Sequence, residues 1–118
     1  MTTVGQILAR KNTQIHSVSP DHTVLDALKL MAGKDISAVL VIEGERLVGI
    51  FTERDYARKV ILQGRSSRES RIGELMSQNL LTVSPTQTVE EIMAIMTENR
   101  FRHLPVVDHG QLVGIVTI

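Results

Sequence analysis

Apolar side chains recur along this chain in two rhythms. Val24, Ala27, Leu28 and Met31 fall at helical spacing, and so do Val89, Ile92, Met93 and Met96. Each set predicts one buried face of a short helix, and the Met-rich stripe reads as core. Both runs open on a threonine with an acid three residues later, Thr23 with Asp26 and Thr88 with Glu91. That pattern is a capping box, in which the hydroxyl takes an orphan amide and the acid reaches back to the threonine amide. After each helix the pattern changes to strand, turn, strand: residues 38–42, 43–46 and 47–52, then 103–107, 108–111 and 112–117. A glycine in each connector, Gly44 and Gly110, suits a hairpin. A further helix is expected over about residues 53–62, followed by a joining loop around 64–68.

The two rhythms are two copies of one segment. Residues 18–53 lie on 83–118 without a gap, and 12 of those 36 positions are identical, where residue frequencies alone give roughly two. Val-Ser-Pro recurs at 18–20 and 83–85, Thr-Val at 23–24 and 88–89, and Leu-Val-Gly-Ile at 47–50 and 112–115. Met31 falls on Met96, Val41 on Val106 and Thr52 on Thr117. Residues 4–8 (Val-Gly-Gln-Ile-Leu) also resemble 72–76 (Ile-Gly-Glu-Leu-Met), so the first copy carries three extra residues before its Val-Ser-Pro. The expected organisation is one domain: repeat 1 over about 1–63, a linker over about 64–70, and repeat 2 over about 71–118 without a closing helix. One copy alone would leave a sheet face exposed. The expected fold is therefore α/β, of the α+β kind, with two small sheets packed against helices and an internal pseudo-twofold.

Composition removes several function classes. Lys+Arg and Asp+Glu are both 13, so no whole-chain field draws the protein to nucleic acid or to an anionic membrane. Only 3% of residues are aromatic, too few for a base-stacking platform. There is no cysteine, hence no disulfide, thiolate metal site or Cys nucleophile. No apolar run is long enough to span a bilayer, and Met1–Gln6 has no signal-peptide pattern, so the cytoplasm is the expected compartment. His16, His22 and His109 lack metal-ligand spacing, and nothing ties Ser, His and Asp into a triad. No enzyme is expected, and no catalytic cofactor.

With Leu-Pro-Val-Val at 104–107 and Leu-Val-Gly-Ile-Phe-Thr-Glu-Arg-Asp at 47–55, the repeated pattern resembles the cystathionine-β-synthase (CBS) repeat. The resemblance covers nearly the whole chain and implies a tandem pair, or Bateman module, commonly dimeric. Such modules bind AMP, ATP, NAD or S-adenosylmethionine in composite clefts. By that resemblance Thr52, Arg54 and Asp55 hold ribose and phosphate, Leu81, Thr82, Phe101 and Pro105 line the base, and Arg102 and His103 approach phosphate. A weaker second site would use Ile36, Ser37 and Thr117. The chemistry fits: a carboxylate offers two acceptor oxygens to a ribose cis-diol, while a hydroxyl, an arginine and helix-start amides favour phosphate. Two plainer readings stand beside it. Thr52-x-x-Asp55 is itself a capping box needing no ligand, and Arg102 and His103 could be a solvated strand end. The expected function is a nucleotide-responsive regulatory module, a homodimer acting on an unidentified protein partner; the alternative is a dimerisation module with an empty pocket.

Overall fold

The computed structural model describes residues 1–11 and 15–117. Ile118, which closes the alignment of the two copies, lies outside them. In chain order the elements are α1 (Val4–Lys11), β1 (Ser17–Val18), α2 (Val24–Lys34), β2 (Ala38–Glu43), β3 (Arg46–Thr52), α3 (Glu53–Asp55), a π-helical stretch (Tyr56–Ile61), α4 (Ile72–Leu75), α5 (Val89–Asn99), β4 (His103–Asp108) and β5 (Gln111–Thr117). The fold is α+β, with one three-stranded and one two-stranded sheet. Among the described residues no helix is long and apolar enough to cross a membrane.

The chain forms two compact units, one of residues 16–79 and the other of 1–15 with 80–118. In the first, β1 runs parallel to β2 and β2 antiparallel to β3, with Ala38 opposite Thr52. Val24, Ala27 and Met31 of α2 pack with Val39, Val41 and Phe51, and Ile72 and Leu75 of α4 join the same core. In the second unit β4 and β5 pair with His103 opposite Thr117, and Val83 adds a parallel bridge to Val106. Ile92 and Met96 of α5 and Val4 of α1 bury against Leu104, Val106 and Val116. Both hairpins carry a register irregularity at the same repeated position, 41/42 and 106/107. The two copies thus share one topology.

The compact units divide the chain differently from the sequence copies. The Ile72 amide donates to the His22 carbonyl and the Gly73 amide to that of Pro20, both at 2.9 Å. The repeat-related bonds run from Val4 to Gln87 and from Gly5 to Pro85, again at 2.9 Å. Each leading helix therefore docks on the Val-Ser-Pro turn of the other copy. Periodicity shows that such a helix has an apolar face, not which sheet that face meets.

The helix starts form as their residues dictate. Thr23 and Asp26, Thr88 and Glu91, and Thr52 and Asp55 each make both bonds of the capping box. The Thr23 amide and then its hydroxyl hold the Asp26 carboxyl below its ordinary value. The resulting stabilisation is present above the usual aspartate pKa and fades as pH falls through the lowered one. A similar exchange links Thr3 and Gln6 at the start of α1. Met93 departs from the expected stripe: it is 52% exposed, and the buried face of α5 is Ile92 and Met96.

Candidate functional site

Strand β3 ends where the sequence places its strongest candidate. Ala38 pairs with Thr52, and the Glu53 amide donates to the Ser37 carbonyl at 3.0 Å, so Ile36, Ser37, Thr52, Arg54 and Asp55 share one end of that sheet. Thr52 is half-buried, while Ser37 and Arg54 are exposed. Asp55 is buried, with 8% of its surface exposed.

An acid at that depth requires partners, and Asp55 has them on both oxygens. Its Oδ2 accepts from the Thr52 amide (3.0 Å) and the Thr52 hydroxyl (3.1 Å). Its Oδ1 accepts from the Ser77 hydroxyl (2.9 Å) and lies 3.2 Å from Lys59 Nζ. Lys59 Nζ also donates to the Leu75 carbonyl (3.0 Å) and to Ser77 Oγ (3.3 Å). Sequence reading missed Lys59 and Ser77. Lys59 carried a signal, lying one helical turn beyond Asp55. Ser77 carried none, since the fold alone brings it back across 22 residues.

The helix start is also less open than its sequence implies. The Asp55 amide donates to Thr52 Oγ1 at 3.1 Å and the Glu53 amide is held by Ser37, so neither is free for a phosphate. Beyond α3 the helix widens to the π form, with Leu62 N–H reaching the Ala57 carbonyl and Arg65 N–H the Val60 carbonyl. Such widened turns are rare.

The other candidates lie in the second compact unit. Leu81, Thr82, Arg102 and Thr117 are exposed, Phe101 and His103 half-buried. Thr117 sits opposite His103 in the sheet. Pro105 is buried and its carbonyl accepts from the Val83 amide at 3.0 Å. Phe101 packs on the core beside Met96. The structure thus collects Thr52, Arg54, Asp55, Ile36 and Ser37 in one unit, and Leu81, Thr82, Phe101, Arg102, His103, Pro105 and Thr117 in the other. Among the described residues no group of three or more His, Cys, Asp or Glu side chains could hold a metal ion.

Duplicated helix–hairpin units with leading helices exchanged and a Thr-x-x-Asp at a strand end define a tandem-repeat module. The chain belongs to the CBS domain family, which it matches over residues 4–62 and again over 72–118. It is 38% identical over 126 aligned residues to the Arabidopsis thaliana CBS domain-containing protein CBSX3, mitochondrial, covering 99% of this chain but only 61% of that protein. It is 36% identical to YhcV of Bacillus subtilis, across 90% of this chain and 75% of the relative. A proposed signal-transduction protein with CBS domains from Burkholderia ambifaria has a solved structure that matches at a TM-score of 0.94 and 50% identity, over 98% of this chain and 88% of that one. The CBS domain pair of protein MJ0100, solved in complex with 5′-methylthioadenosine and S-adenosyl-L-methionine, matches at 0.86 and 27%, over 99% and 90%.

Proposed function

We propose that this CBS pair is a regulatory module that binds an adenosine-bearing ligand of the AMP, ATP or NAD class, with Asp55 as its ribose anchor. The observation that carries the reading is a buried carboxylate, held by Thr52 at the end of β3, in a fold whose relative MJ0100 is described with two adenosine compounds. A carboxylate only accepts, and a ribose cis-diol supplies two donors. Arg54, exposed one residue before Asp55, provides charge for a phosphate. Occupancy would shift the balance between conformations felt by a partner.

A second reading has its own observation: the protein's own groups already meet both Asp55 oxygens, which suits a dimerisation module with an empty pocket. A thermal-shift panel of AMP, ADP, ATP, NAD, NADH, S-adenosylmethionine and 5′-methylthioadenosine, with GMP as contrast, separates the two. A ligand of the folded state at a hundred times its Kd stabilises by about 2.7 kcal/mol, which raises the melting temperature by several degrees. The sensor reading expects that rise with at least one adenosine compound and none with GMP. A flat panel at millimolar ligand would leave the dimerisation reading.

Under either reading we propose a twofold homodimer. Ile61 and Leu62, at 56% and 77% exposure, present apolar surface that self-association would cover. A hexameric CBS-CP12 protein from cyanobacteria is similar at a TM-score of 0.80 and 30% identity. Sedimentation at micromolar concentration should give a species of twice the chain mass. A lone 13.1 kDa species would refute the dimer.

A further inference from the structure

Among the described residues three helix starts carry a capping-box acid, and of these Asp55 is the one wired to a distant segment. Asp26 and Glu91 are exposed and serve their own helix starts. Asp55 is buried, and its second oxygen is held by Ser77 and Lys59. A carboxylate has about four acceptor positions, and the two Thr52 donors, Ser77 and Lys59 fill them. Lys59 spends its three donors on Asp55, the Leu75 carbonyl and Ser77 Oγ, closing a ring with the Ser77–Asp55 bond. Thr52 cannot yield its position cheaply, because its bonds form the helix start itself. The Oδ1 side can yield, since a serine hydroxyl turns about one bond and Lys59 is 39% exposed.

We propose that Ser77 and Lys59 are a latch on Asp55, which a ligand diol must open before it binds. The latch deepens the adenosine reading and rests on it. Its effect reaches beyond the pocket because of where Ser77 lies. Residues 76–79 are the last of one compact unit, and the chain enters the other at Leu80. Ser77 is pinned by its hydroxyl to Asp55 and by its backbone to Ile50, donating to the Ile50 carbonyl at 2.8 Å and accepting from its amide at 3.0 Å. Loss of the side-chain bonds would leave Ser77 held by that backbone bridge and, one residue earlier, by the Met76 amide on the Ile72 carbonyl. Ligand arrival would then be read as a loosened connector, a form of coupling that needs no change in either core.

The test uses the full chain, with AMP and 5′-methylthioadenosine as probes. The second probe has no phosphate and so isolates the ribose. Ser77→Ala removes the competing hydroxyl, and its affinity for either probe should rise about three- to tenfold over wild type, because the competent state no longer has to break a hydrogen bond. Lys59→Met should shift 5′-methylthioadenosine in the same direction. Independently of any variant, saturating 5′-methylthioadenosine should speed hydrogen exchange at the wild-type Ser77 amide while leaving Val39 and Val41 unchanged. Binding by Ser77→Ala alone would also support the latch. Unchanged or weaker binding by Ser77→Ala, or an unchanged Ser77 exchange rate, would overturn the latch and leave the adenosine reading standing. No binding by wild type or either variant would overturn both.

Discussion

Asp55→Asn is expected to lower stability by about 2–3 kcal/mol, seen as a melting temperature roughly 8–12 °C lower. The capping box alone would predict a small loss, because asparagine keeps one oxygen for the Thr52 amide. Burial makes the loss larger. The new amide group would face the Ser77 hydroxyl and the Lys59 ammonium, replacing an acceptor by a donor against two donors. Lys59 would also lose its counter-charge, although its partial exposure softens that term. The same variant should weaken adenosine binding by roughly ten- to a hundredfold, the worth of a hydrogen bond to a charged group. Urea unfolding and calorimetric titration read the two effects separately. A stability change within about 0.5 kcal/mol would mean that the buried network contributes nothing beyond an ordinary surface position.

Gly49→Ala and Gly114→Ala occupy the same place in the two copies, yet they should differ. A Cβ on Gly49 would stand 2.6 Å from Met76 Sδ, 2.9 Å from its Cγ and 3.1 Å from the Ser77 carbonyl oxygen. The methionine can turn aside. The carbonyl cannot retreat without stretching its bond from the Ile50 amide. Overpacking of this kind costs about 1–3 kcal/mol. At Gly114 the close atoms are the two methyls of Leu8, at 2.9 and 3.1 Å, and the third is its Cγ. A rotamer change relieves that crowding, and the entropy gained by replacing glycine offsets part of what remains, about 0.4–1 kcal/mol. Gly114→Ala should therefore fall within about 1 kcal/mol of wild type. Equal losses in urea unfolding would show that Met76, not the Ser77 backbone, sets the spacing at Gly49.

What the chain announced in advance were its local features. The capping boxes at Thr23, Thr52 and Thr88 and the two hairpins lie within short windows, where spacing translates directly into geometry, and the duplication shows as identity between two such stretches. Met93 shows the limit of that translation, since four apolar residues at helical spacing do not say how wide the buried stripe is. The π-helical turn after Asp55 lies where spacing predicts a plain helix, because no residue between Tyr56 and Ile61 marks the widening. Thr52 and Asp55 could be found as candidates from their spacing and from family resemblance. Their employment by Ser77 could not, because that contact is created by α4 docking beside β3. The same holds for the exchanged leading helices, whose partners are decided by tertiary packing.

That exchange has a consequence for the order in which the protein can be made. Of the described elements, synthesis delivers α1 before every other and the strand it packs on, β5, after every other. The unit of residues 16–79 is contiguous in the chain and can complete its core while the remainder is still being translated. The other unit must wait for its two ends. Val4, fully buried in the finished fold, and Leu8, packed against the same core, have no native partner until then. The growing chain thus carries an unsatisfied apolar helix while residues 16–79 are made, and joining α1 to β5 closes a loop that includes the whole of that unit.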